Sequence, residues 1–339
     1  MGNIIRRIVS AFAVLFLLTT LVCGCSTSES EVNAQVKIGV TVYDQYDTFI
    51  SELMDCFNSD AEEGVTVETF NASKSQQSQN EQVQSMIDDG CNVICVNLVD
   101  RTAPTEIIDM ARKCDIPVIF FNRELVEEDL QRWDKLYYVG ADAFESGILE
   151  GELAATTCKS DATVDKNGDG VIQYVVLEGE AGHQDAIVRT EYSVNTLLGK
   201  GVCVDKIGYA MANWNRTQAQ TKVSQMIDQQ GDNIELIMAN NDDMALGAID
   251  AYKAKGILRS KWPAIFGIDG TDEGLEAVKK DEMIGTVYND KEGQAQAMMN
   301  LAVALSKGED LDSLGLTDCK YIRLPYQKVT AANVNNFLD

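Results

Sequence analysis

The chain has 339 residues, and this length together with 45% hydrophobic residues favours two packed domains over a disordered chain. With 53 acidic against 28 basic residues the net charge is −25, which excludes a nucleic-acid binder, because such proteins need positive charge against phosphates. The single histidine excludes a multi-histidine metal site.

Residues 1–24 have the features of an export signal. Two arginines precede an apolar stretch at 11–22, which is too short for a comfortable membrane span. The stretch ends in Val-Cys-Gly-Cys before a polar run, which resembles a bacterial lipoprotein signal with Cys25 as the lipidated first residue. An ordinary secretory signal cleaved nearby is the alternative. We therefore expect an exported protein, lipid-anchored on the outer face of the cell membrane, with residues 25–35 as a flexible tether.

From residue 36 onward, short apolar segments alternate with longer amphipathic ones. The predicted strands are 36–43, 65–70, 93–98, 118–122, 171–177, 234–240, 264–269 and 284–288. The predicted helices are 47–59, 74–89, 103–114, 143–157, 184–199, 216–230, 242–255, 271–280 and 291–306. Several strands are continuously apolar, as expected when both faces of a sheet are buried. The alternation predicts an α/β fold with parallel sheets and helices on both faces.

Polar side chains follow six of the predicted strands. They are Asp47; Asn122 with Arg123; His183, Asp185 and Arg189; Asn240, Asn241 and Asp242; Asp269; and Asn289 with Asp290. Each alone is also typical of a helix N-cap or its surroundings. Together, at the carboxyl ends of parallel strands, they favour a crevice for a ligand with many hydroxyl groups, because amides both donate and accept hydrogen bonds. Phe49 and Trp214 are candidates to clamp the apolar faces of a sugar ring.

The segment 165–173, DKNGDGVIQ, matches the first nine positions of an EF-hand calcium loop. The position that should supply a bidentate glutamate is Val176, inside the next strand, so a helix–loop–helix EF-hand is excluded and the last carboxylate must come from elsewhere. Glu235, at the start of another strand, is a candidate. The alternative is a solvated Asp/Gly turn. Oxygen ligands favour a structural calcium ion over a transition metal.

Seven cysteines, an odd number, lie beyond the signal segment and its lipidation site, and they are scattered through the apolar pattern of the chain. The spacing of Cys91 and Cys95 is neither a thioredoxin motif nor a zinc knuckle. We interpret the seven as small buried hydrophobic residues rather than a disulfide framework.

Across residues 36–339 the chain resembles the galactose/glucose-binding protein family of bacterial sugar-uptake systems. The motifs that carry the resemblance are VTVYDQYDTF, VIFFNRE, YYVGAD, DKNGDGVIQ, GEAGHQDAIVR, MANWN, IMANNDDMALGA, FGIDG and TVYND. The resemblance implies two doubly wound parallel-sheet domains joined by a three-segment hinge, the type I periplasmic-binding-protein fold. The expected lobes are 36–141 with 289–324, and 142–288 with 325–339.

The resemblance also implies the roles of individual residues. Polar sugar contacts fall on Asp47, Asn122, His183, Asp185, Arg189, Asn241, Asp269 and Asn289, and stacking aromatics on Phe49 and Trp214. Calcium ligands fall on Asp165, Asn167, Asp169, Val171 through its carbonyl, Gln173 and Glu235. The family usually has proline at the positions of Ala181 and Gln184, which leaves the contacts intact but changes the loop between them.

The expected function is therefore that of a monomeric binding protein that closes over galactose or glucose and delivers it to the permease of an ABC importer. A sensor that presents sugar to a chemoreceptor or a histidine kinase, or a binder of another monosaccharide, is the alternative. An enzyme such as a glycosidase is disfavoured, since no nucleophile–base pair is apparent. A transcriptional regulator of the same fold is excluded by the export signal.

Overall fold

A computed structural model of the protein describes residues 35–338. The predicted signal segment 1–24, the predicted lipidation site Cys25 and almost all of the tether 25–35 therefore lie outside the described residues. Between residues 35 and 338, none of the helices combines the length and the apolar character needed to cross a membrane.

Helices and strands alternate along the described chain. The strands are β1 Val36–Val42, β2 Val65–Asn71, β3 Val93–Val96, β4 Val118–Phe121, β5 Leu136–Ala141, β6 Ile172–Glu178, β7 Val204–Met211, β8 Leu236–Ala239, β9 Ala264–Phe266, β10 Gly285–Tyr288, β11 Tyr321–Leu324 and β12 Gln327–Thr330. The helices are α1 Thr48–Ser59, α2 Gln76–Asp88, α3 Thr105–Cys114, α4 Glu127–Leu130, α5 Ala143–Ser160, α6 Gln184–Gly199, α7 Arg216–Gln230, α8 Asp242–Ala254, α9 Asp272–Lys279 and α10 Lys291–Lys307.

The strands form two six-stranded sheets. The first has the order β11-β5-β4-β3-β1-β2 and is parallel throughout. The second has the order β12-β10-β9-β8-β6-β7, and only its edge strand β12 is antiparallel. We call the first sheet with α1–α4 and α10 the first lobe, and the second sheet with α5–α9 the second lobe. The predicted doubly wound α/β class is confirmed, with β12 as an addition.

Each sheet is covered on both faces by apolar cores. In the first lobe, one core joins β1 to α1 and α10, and the other joins β3 to α2 and α3. In the second lobe, one core involves α7, α8 and α9, and the other α5 and α6. The strands β3, β4 and β8 are buried at every residue, which explains their continuous apolar sequences.

The chain passes between the two sheets at three places in the described part. These are the step from β5 to α5, the step from β10 to α10, and the short connection from β11 to β12. Helix α5 packs on β10 and β12 of the second lobe, whereas α10 packs on β1 and on α1 of the first. Leu324 pairs with Ala141 and Gln327 pairs with Tyr288, so the three connections lie side by side.

Four strands, β5, β7, β11 and β12, are absent from the predicted set. Three of them are partly exposed: β7 is an edge strand whose Asp205 and Lys206 face solvent, and β11 and β12 are edge strands of four residues. Their polar residues break the apolar runs on which the prediction relied. Strand β5 is largely buried and does carry such a run, so the prediction overlooked a signal that is present.

The seven cysteines of the described part are unpaired, and only two of them fit the interpretation as buried hydrophobic residues. Cys91 and Cys95 are buried, and burial raises the pKa of both thiols. Cys114, Cys203 and Cys319 are exposed, so the interpretation is wrong for these three.

Candidate functional site

The carboxyl ends of the strands of both sheets face a cavity between the lobes. Such strand ends, beside the point where the strand order reverses, are the usual ligand site of open α/β sheets. The space between the cavity's lining residues, part of which is open to solvent, is about 330 Å³. It is lined by Tyr43, Asp47, Phe49, Asn122 and Arg123 of the first lobe and by His183, Asp185, Arg189, Trp214, Asn241 and Asp269 of the second. Nine of the ten predicted sugar contacts thus line one cavity; the tenth, Asn289, does not.

Asp47 is held in place from two sides. It is the N-cap of α1, and its Oδ1 accepts a hydrogen bond of 3.0 Å from the Ile50 amide. The Tyr43 hydroxyl donates to its Oδ2. Burial raises the pKa of Tyr43, with the Asp47 carboxylate adding to the effect, so the hydroxyl stays protonated and remains a donor. The carboxylate is therefore fixed in direction before any ligand arrives.

Asn122 and Arg123 turn away from the end of β4 into the cavity. Asn122 has φ +58°, a left-handed conformation that asparagine tolerates better than most residues. The backbone oxygen of Asn122 accepts a hydrogen bond of 2.9 Å from the Tyr138 hydroxyl, which fixes this corner. The Arg123 guanidinium stacks 3.5 Å above the Tyr43 ring, a cation–π contact. Arg123 therefore shapes the floor of the cavity beside Asn122.

His183 is a neutral hydrogen-bond donor toward the cavity. It is the N-cap of α6, and its Nδ1 accepts a hydrogen bond of 3.1 Å from the Asp185 amide. Burial lowers the pKa of His183 to about 3, and the nearby Arg123 and Arg189 lower it further, whereas Asp185 opposes them. A neutral ring whose Nδ1 accepts carries its proton on Nε2, so this nitrogen is the one available to a ligand.

We expect the imidazole of His183 to show no titration between pH 8 and pH 5 in the folded protein. The chain has one histidine, so the ring nitrogens of untagged ¹⁵N-labelled protein give a single assignable pair of NMR signals. The same signals in denaturant should titrate near the ordinary value of 6.5. Because the unfolded chain then binds a proton that the folded chain does not, this group lowers stability as the pH falls from 6.5 toward 3. A folded-state titration above pH 5 would contradict the buried, neutral assignment.

Arg189 is the centre of a buried polar cluster. Its Nη1 lies 3.2 Å from Asp269 Oδ1 and donates to the Asn240 carbonyl at 2.7 Å, and its Nη2 lies 3.4 Å from Asp185 Oδ2. Its Nη2 also donates to the Tyr326 hydroxyl at 3.2 Å. Its Nε is buried and has no hydrogen-bond partner among the described residues. Arg189, Asp185 and Asp269 all line the cavity, so the cluster presents both a donor and acceptors to a ligand.

Burial opposes charge on both partners of the Arg189–Asp269 pair. Burial alone lowers the pKa of Arg189, but Asp269, Tyr326 and Asp185 outweigh it and raise this pKa, so the guanidinium is charged. Burial raises the pKa of Asp269, and Arg189 opposes that shift. A charge-assisted pair of this kind is fixed in geometry but remains sensitive to the loss of either partner.

Trp214 and Phe49 supply the apolar part of the lining. The Trp214 ring packs edge-on against His183, with ring centroids 5.2 Å apart. Gly179 makes this position possible, because a Cβ there would lie only 2.2 Å from the indole ring. Phe49 is buried near the start of α1, 5% exposed, and also belongs to the first-lobe core. The two aromatics come from different lobes, as expected for a clamp around a ring.

Asn241 and Asn289 lie at different depths. Asn241 is the N-cap of α8, and its Oδ1 accepts a hydrogen bond of 3.0 Å from the Met244 amide. Its side chain lines the cavity. Asn289 is 2% exposed, and its Oδ1 accepts a hydrogen bond of 2.6 Å from Gln294. Its backbone N–H donates to the Asp269 carbonyl at 2.9 Å. In this structure Asn289 supports the backbone beside Asp269 rather than facing the cavity.

The candidate calcium ligands meet around the 165–173 loop. Asn167 Nδ2 lies 3.0 Å from Asp169 Oδ2 and 3.0 Å from Gln173 Oε1. Asp165 accepts from the amides of Gly168 and Gly170, which closes the turn.

Glu235 lies against both ends of this loop. It accepts hydrogen bonds from the amides of Lys166 at 2.6 Å and Gln173 at 2.9 Å. Glu235 is 1% exposed and forms no ion pair with any residue from 35 to 338. Across that described range, no three His, Cys, Asp or Glu side chains are close enough together to hold a metal ion. A calcium site here would therefore depend on the amide and carbonyl oxygens of Asn167, Gln173 and Val171 as well. An all-oxygen donor set that includes a buried carboxylate without a side-chain ion pair fits calcium chemistry.

Two lining residues, Tyr43 and Arg123, were not among the predicted contacts. Tyr43 ends an apolar strand and therefore has the sequence pattern of a core residue. Arg123 follows Asn122 at a strand end, so its position in the sequence did carry a signal. Their contact with each other joins the ends of β1 and β4, which only the folded chain brings together.

Two lobes, three connections and a polar cavity lined from both sides define the class of two-domain ligand-binding proteins that close around a small molecule. The family profile described as periplasmic binding protein domain matches residues 38–310. The chain belongs to this family, and the resemblance inferred from its motifs is confirmed. Membership implies an exported protein that binds its substrate without transforming it, so the protein is not an enzyme.

Individual relatives cover nearly the whole chain. The D-galactose/methyl-galactoside binding periplasmic protein MglB of Haemophilus influenzae is 36% identical over 310 residues, 90% of this chain and 92% of the relative. A xylitol-binding protein of Mycolicibacterium smegmatis is 31% identical over 85% of this chain and 77% of its own length. A solved ABC-transporter solute-binding protein of Bacillus halodurans with bound myo-inositol has a TM-score of 0.74 and 28% identity, covering 90% of this chain and 98% of that one.

Proposed function

We propose that the protein captures galactose or glucose by hinge closure and delivers it to the permease of an ABC importer. The observation that carries this proposal is the interlobe cavity, which combines two aromatic side chains with carboxylate, amide, imidazole and guanidinium groups from both lobes. Carboxylates accept from sugar hydroxyls, Arg189 and His183 donate to them, and the aromatics cover apolar ring faces. The similarity to a galactose-binding relative supports a hexose, and the relatives that bind xylitol or myo-inositol have ligands of the same polyhydroxylated class.

Contacts between the lobes support the closure step. Arg123 forms an ion pair of 2.9 Å with Glu180, and the Thr48 hydroxyl donates to Asp243 at 2.7 Å. Lys291 of the first lobe lies 2.6 Å from Glu52 and also pairs with Asp272 of the second lobe. A sugar that contacts both lobes favours the form in which these contacts exist, because only differential binding shifts such an equilibrium.

The proposal includes two further parts. The mature protein is anchored through a lipid on Cys25, so the binding lobes stay at the membrane where the permease is. A structural calcium ion is held by Asp165, Asn167, Asp169, Gln173, Glu235 and the Val171 carbonyl, and it supplies positive charge that joins the loop to β8. Neither part contributes directly to the sugar contacts.

Calorimetric titration of the untagged protein, expressed from residue 26 onward, tests the function. We expect galactose or glucose to bind at micromolar or lower concentration, and pentoses and polyols to bind at least tenfold more weakly. Binding of xylitol or myo-inositol in preference to every hexose would overturn the hexose assignment. Absence of binding to every saccharide and polyol would overturn the function itself.

A further inference from the structure

The interior of the second lobe contains a carboxyl group that no proposed sugar or calcium contact uses. Glu150 lies in α5 and is 0% exposed. Neither of its carboxyl oxygens has a hydrogen-bond partner among the described residues, and no cationic side chain of residues 35–338 forms an ion pair with it. An unpaired charge is far more costly to bury than a neutral polar group, so burial favours the protonated form of Glu150.

Helices α5 and α6 pack closely, and their contact brings Glu150 near Arg189. A Cβ at Gly147 would lie 3.2 Å from the Arg189 Cα, and a Cβ at Gly151 would lie 2.4 Å from the Ser193 carbonyl oxygen. Glu150 stands one helical turn after Gly147 and directly before Gly151, so it belongs to the side of α5 that packs on α6. It therefore approaches the turn of α6 that carries Arg189 and Ser193.

Arg189 has one donor that its carboxylate partners leave unused. Its Nη1 and Nη2 lie 3.2 Å from Asp269 and 3.4 Å from Asp185. Its Nε is buried and has no hydrogen-bond partner among the described residues. The guanidinium already has two carboxylates as partners, so a third negative charge beside it would compete with them.

The buried acids outnumber the one guanidinium that is available to them. Glu150, Asp242 and Asp269 are buried in the second lobe, and Asp185 lies at its surface toward the cavity. These four carboxyl groups act on Arg189 or on one another. Like charges at close range in a buried site raise one another's pKa, so at least one of the four holds a proton at neutral pH.

No strand that packs on α5 in the described part supplies a cation for Glu150. Strand β9 has no titratable side chain. Tyr288 of β10 donates to Glu292, and Lys328 of β12 pairs with the partly exposed Glu152. The charges that act on Glu150 therefore come from helices α6 and α8.

The balance of these effects keeps the proton on Glu150. Burial raises the pKa of Glu150 to about 8, and the Asp242 carboxylate adds to the rise. The Ser193 hydroxyl, the Arg189 charge and the Ala239 amide oppose the rise, but burial outweighs them. Glu150 therefore ionises near pH 8 instead of near the ordinary value of 4.5.

We propose that Glu150 is a positioning residue for the sugar site, whose protonated carboxyl group keeps the Arg189 guanidinium directed at Asp185 and Asp269. Ionisation of Glu150 adds a third carboxylate beside the same guanidinium, which weakens its contacts with the other two and with the sugar. Sugar affinity then depends on a proton held by a side chain that does not line the cavity. This inference rests on the proposed function, since Arg189 is a proposed sugar contact.

Hexose affinity at pH 6 and at pH 9 tests the inference. The parent is compared with Glu150→Gln, whose side chain is neutral at every pH. Glu191→Gln is the matched control, at an exposed glutamate of α6 that forms no ion pair with another described residue. The affinity of Glu150→Gln relative to the parent should rise about threefold or more from pH 6 to pH 9, because only the parent ionises at this position. The same ratio for Glu191→Gln should stay constant, and groups that titrate in all three proteins cancel.

Two further measurements report the proton itself. Sugar binding by the parent should take up a fraction of a proton at pH 8, as measured by calorimetry in buffers of different ionisation enthalpy, because the bound form favours protonated Glu150. Melting curves without sugar report the same group. As the pH rises from 4.5 toward 8, the parent should lose stability relative to Glu150→Gln, because its folded chain holds a proton that its unfolded chain releases.

The outcomes separate the two proposals. An affinity ratio for Glu150→Gln that is equal at pH 6 and pH 9, in a parent that binds hexose, overturns the positioning role and leaves the proposed function standing. A difference in melting temperature between the parent and Glu150→Gln that does not change with pH overturns the protonated state of Glu150, and with it the inference. If no saccharide binds to the parent, the proposed function fails, and the positioning role fails with it.

Discussion

Asp269→Asn is expected to weaken hexose binding by about 10–100-fold in the folded protein. Asp269 accepts from Arg189 at 3.2 Å and lines the cavity, 5% exposed. Hydrogen bonds to a charged group contribute ~1.5–3 kcal/mol each, which corresponds to a loss of about one to two factors of ten when the charge is removed. The amide also presents an N–H₂ group where the site presents only acceptors, so one sugar hydroxyl must reverse its hydrogen bond or lose it.

Asparagine is the substitution that keeps this test interpretable. Asp269 has φ +114°, a region that L-residues rarely adopt and that asparagine tolerates better than alanine. Arg189 keeps the Asp185 carboxylate at 3.4 Å and the Asn240 carbonyl at 2.7 Å, so its charge is not left without a partner. Melting curves of the parent and the variant report whether folding survives.

Asp205→Asn is the matched control for this variant. Asp205 is an exposed aspartate of the same lobe, on the edge strand β7, and forms no ion pair with another described residue. The control should bind hexose with parental affinity. Parental affinity in a folded Asp269→Asn variant would remove this carboxylate from the proposed sugar contacts.

Much of this fold follows from local sequence pattern. Continuous apolar runs such as Val93–Val96 predict buried parallel strands, and the structure has them at the centre of the sheets. Edge strands are harder to predict from the sequence, because a strand with one solvated face carries polar residues such as Lys206 and Gln327 that interrupt its apolar run. The antiparallel pairing of β12 depends on the third connection between the lobes, which no local pattern encodes.

The candidate site divides in the same way. Residues such as Asp47, His183 and Asn241 stand at strand ends and helix N-caps, so sequence position alone places them at the ligand edge of the sheets. Their grouping around one crevice followed from the strand ends as well, whereas their individual roles as sugar contacts came from the resemblance to a family. The depth at which each side chain lies was not predictable from the sequence. Asn289 was therefore expected to line the cavity, whereas it lies beneath it, beside Asp269.

Removal of calcium is expected to lower the melting temperature by about 5–10 °C. The proposed ligands include the buried carboxylate of Glu235, which has backbone amides but no side-chain cation as partners within residues 35–338. A ligand at 100 times its Kd stabilises the folded state by about 2.7 kcal/mol. For domains of about 150–250 residues, each kcal/mol shifts the melting temperature by about 2–4 °C. Melting curves with excess EDTA and with restored calcium measure the difference directly.

Two variants and a second metal distinguish a calcium site from a general effect of salt or chelator. Glu235→Gln should abolish most of the calcium-dependent shift, because the amide keeps one acceptor oxygen for the loop but removes the carboxylate that reaches the loop from the residue before β8. Asp205→Asn removes an exposed charge from the same lobe and should retain the full shift. Magnesium should restore less than calcium, since it requires a smaller, near-octahedral site and gives up its water reluctantly. A parental melting temperature that is equal in EDTA and in calcium would instead identify the 165–173 segment as a turn closed by its own Asp165 and Asp169 hydrogen bonds.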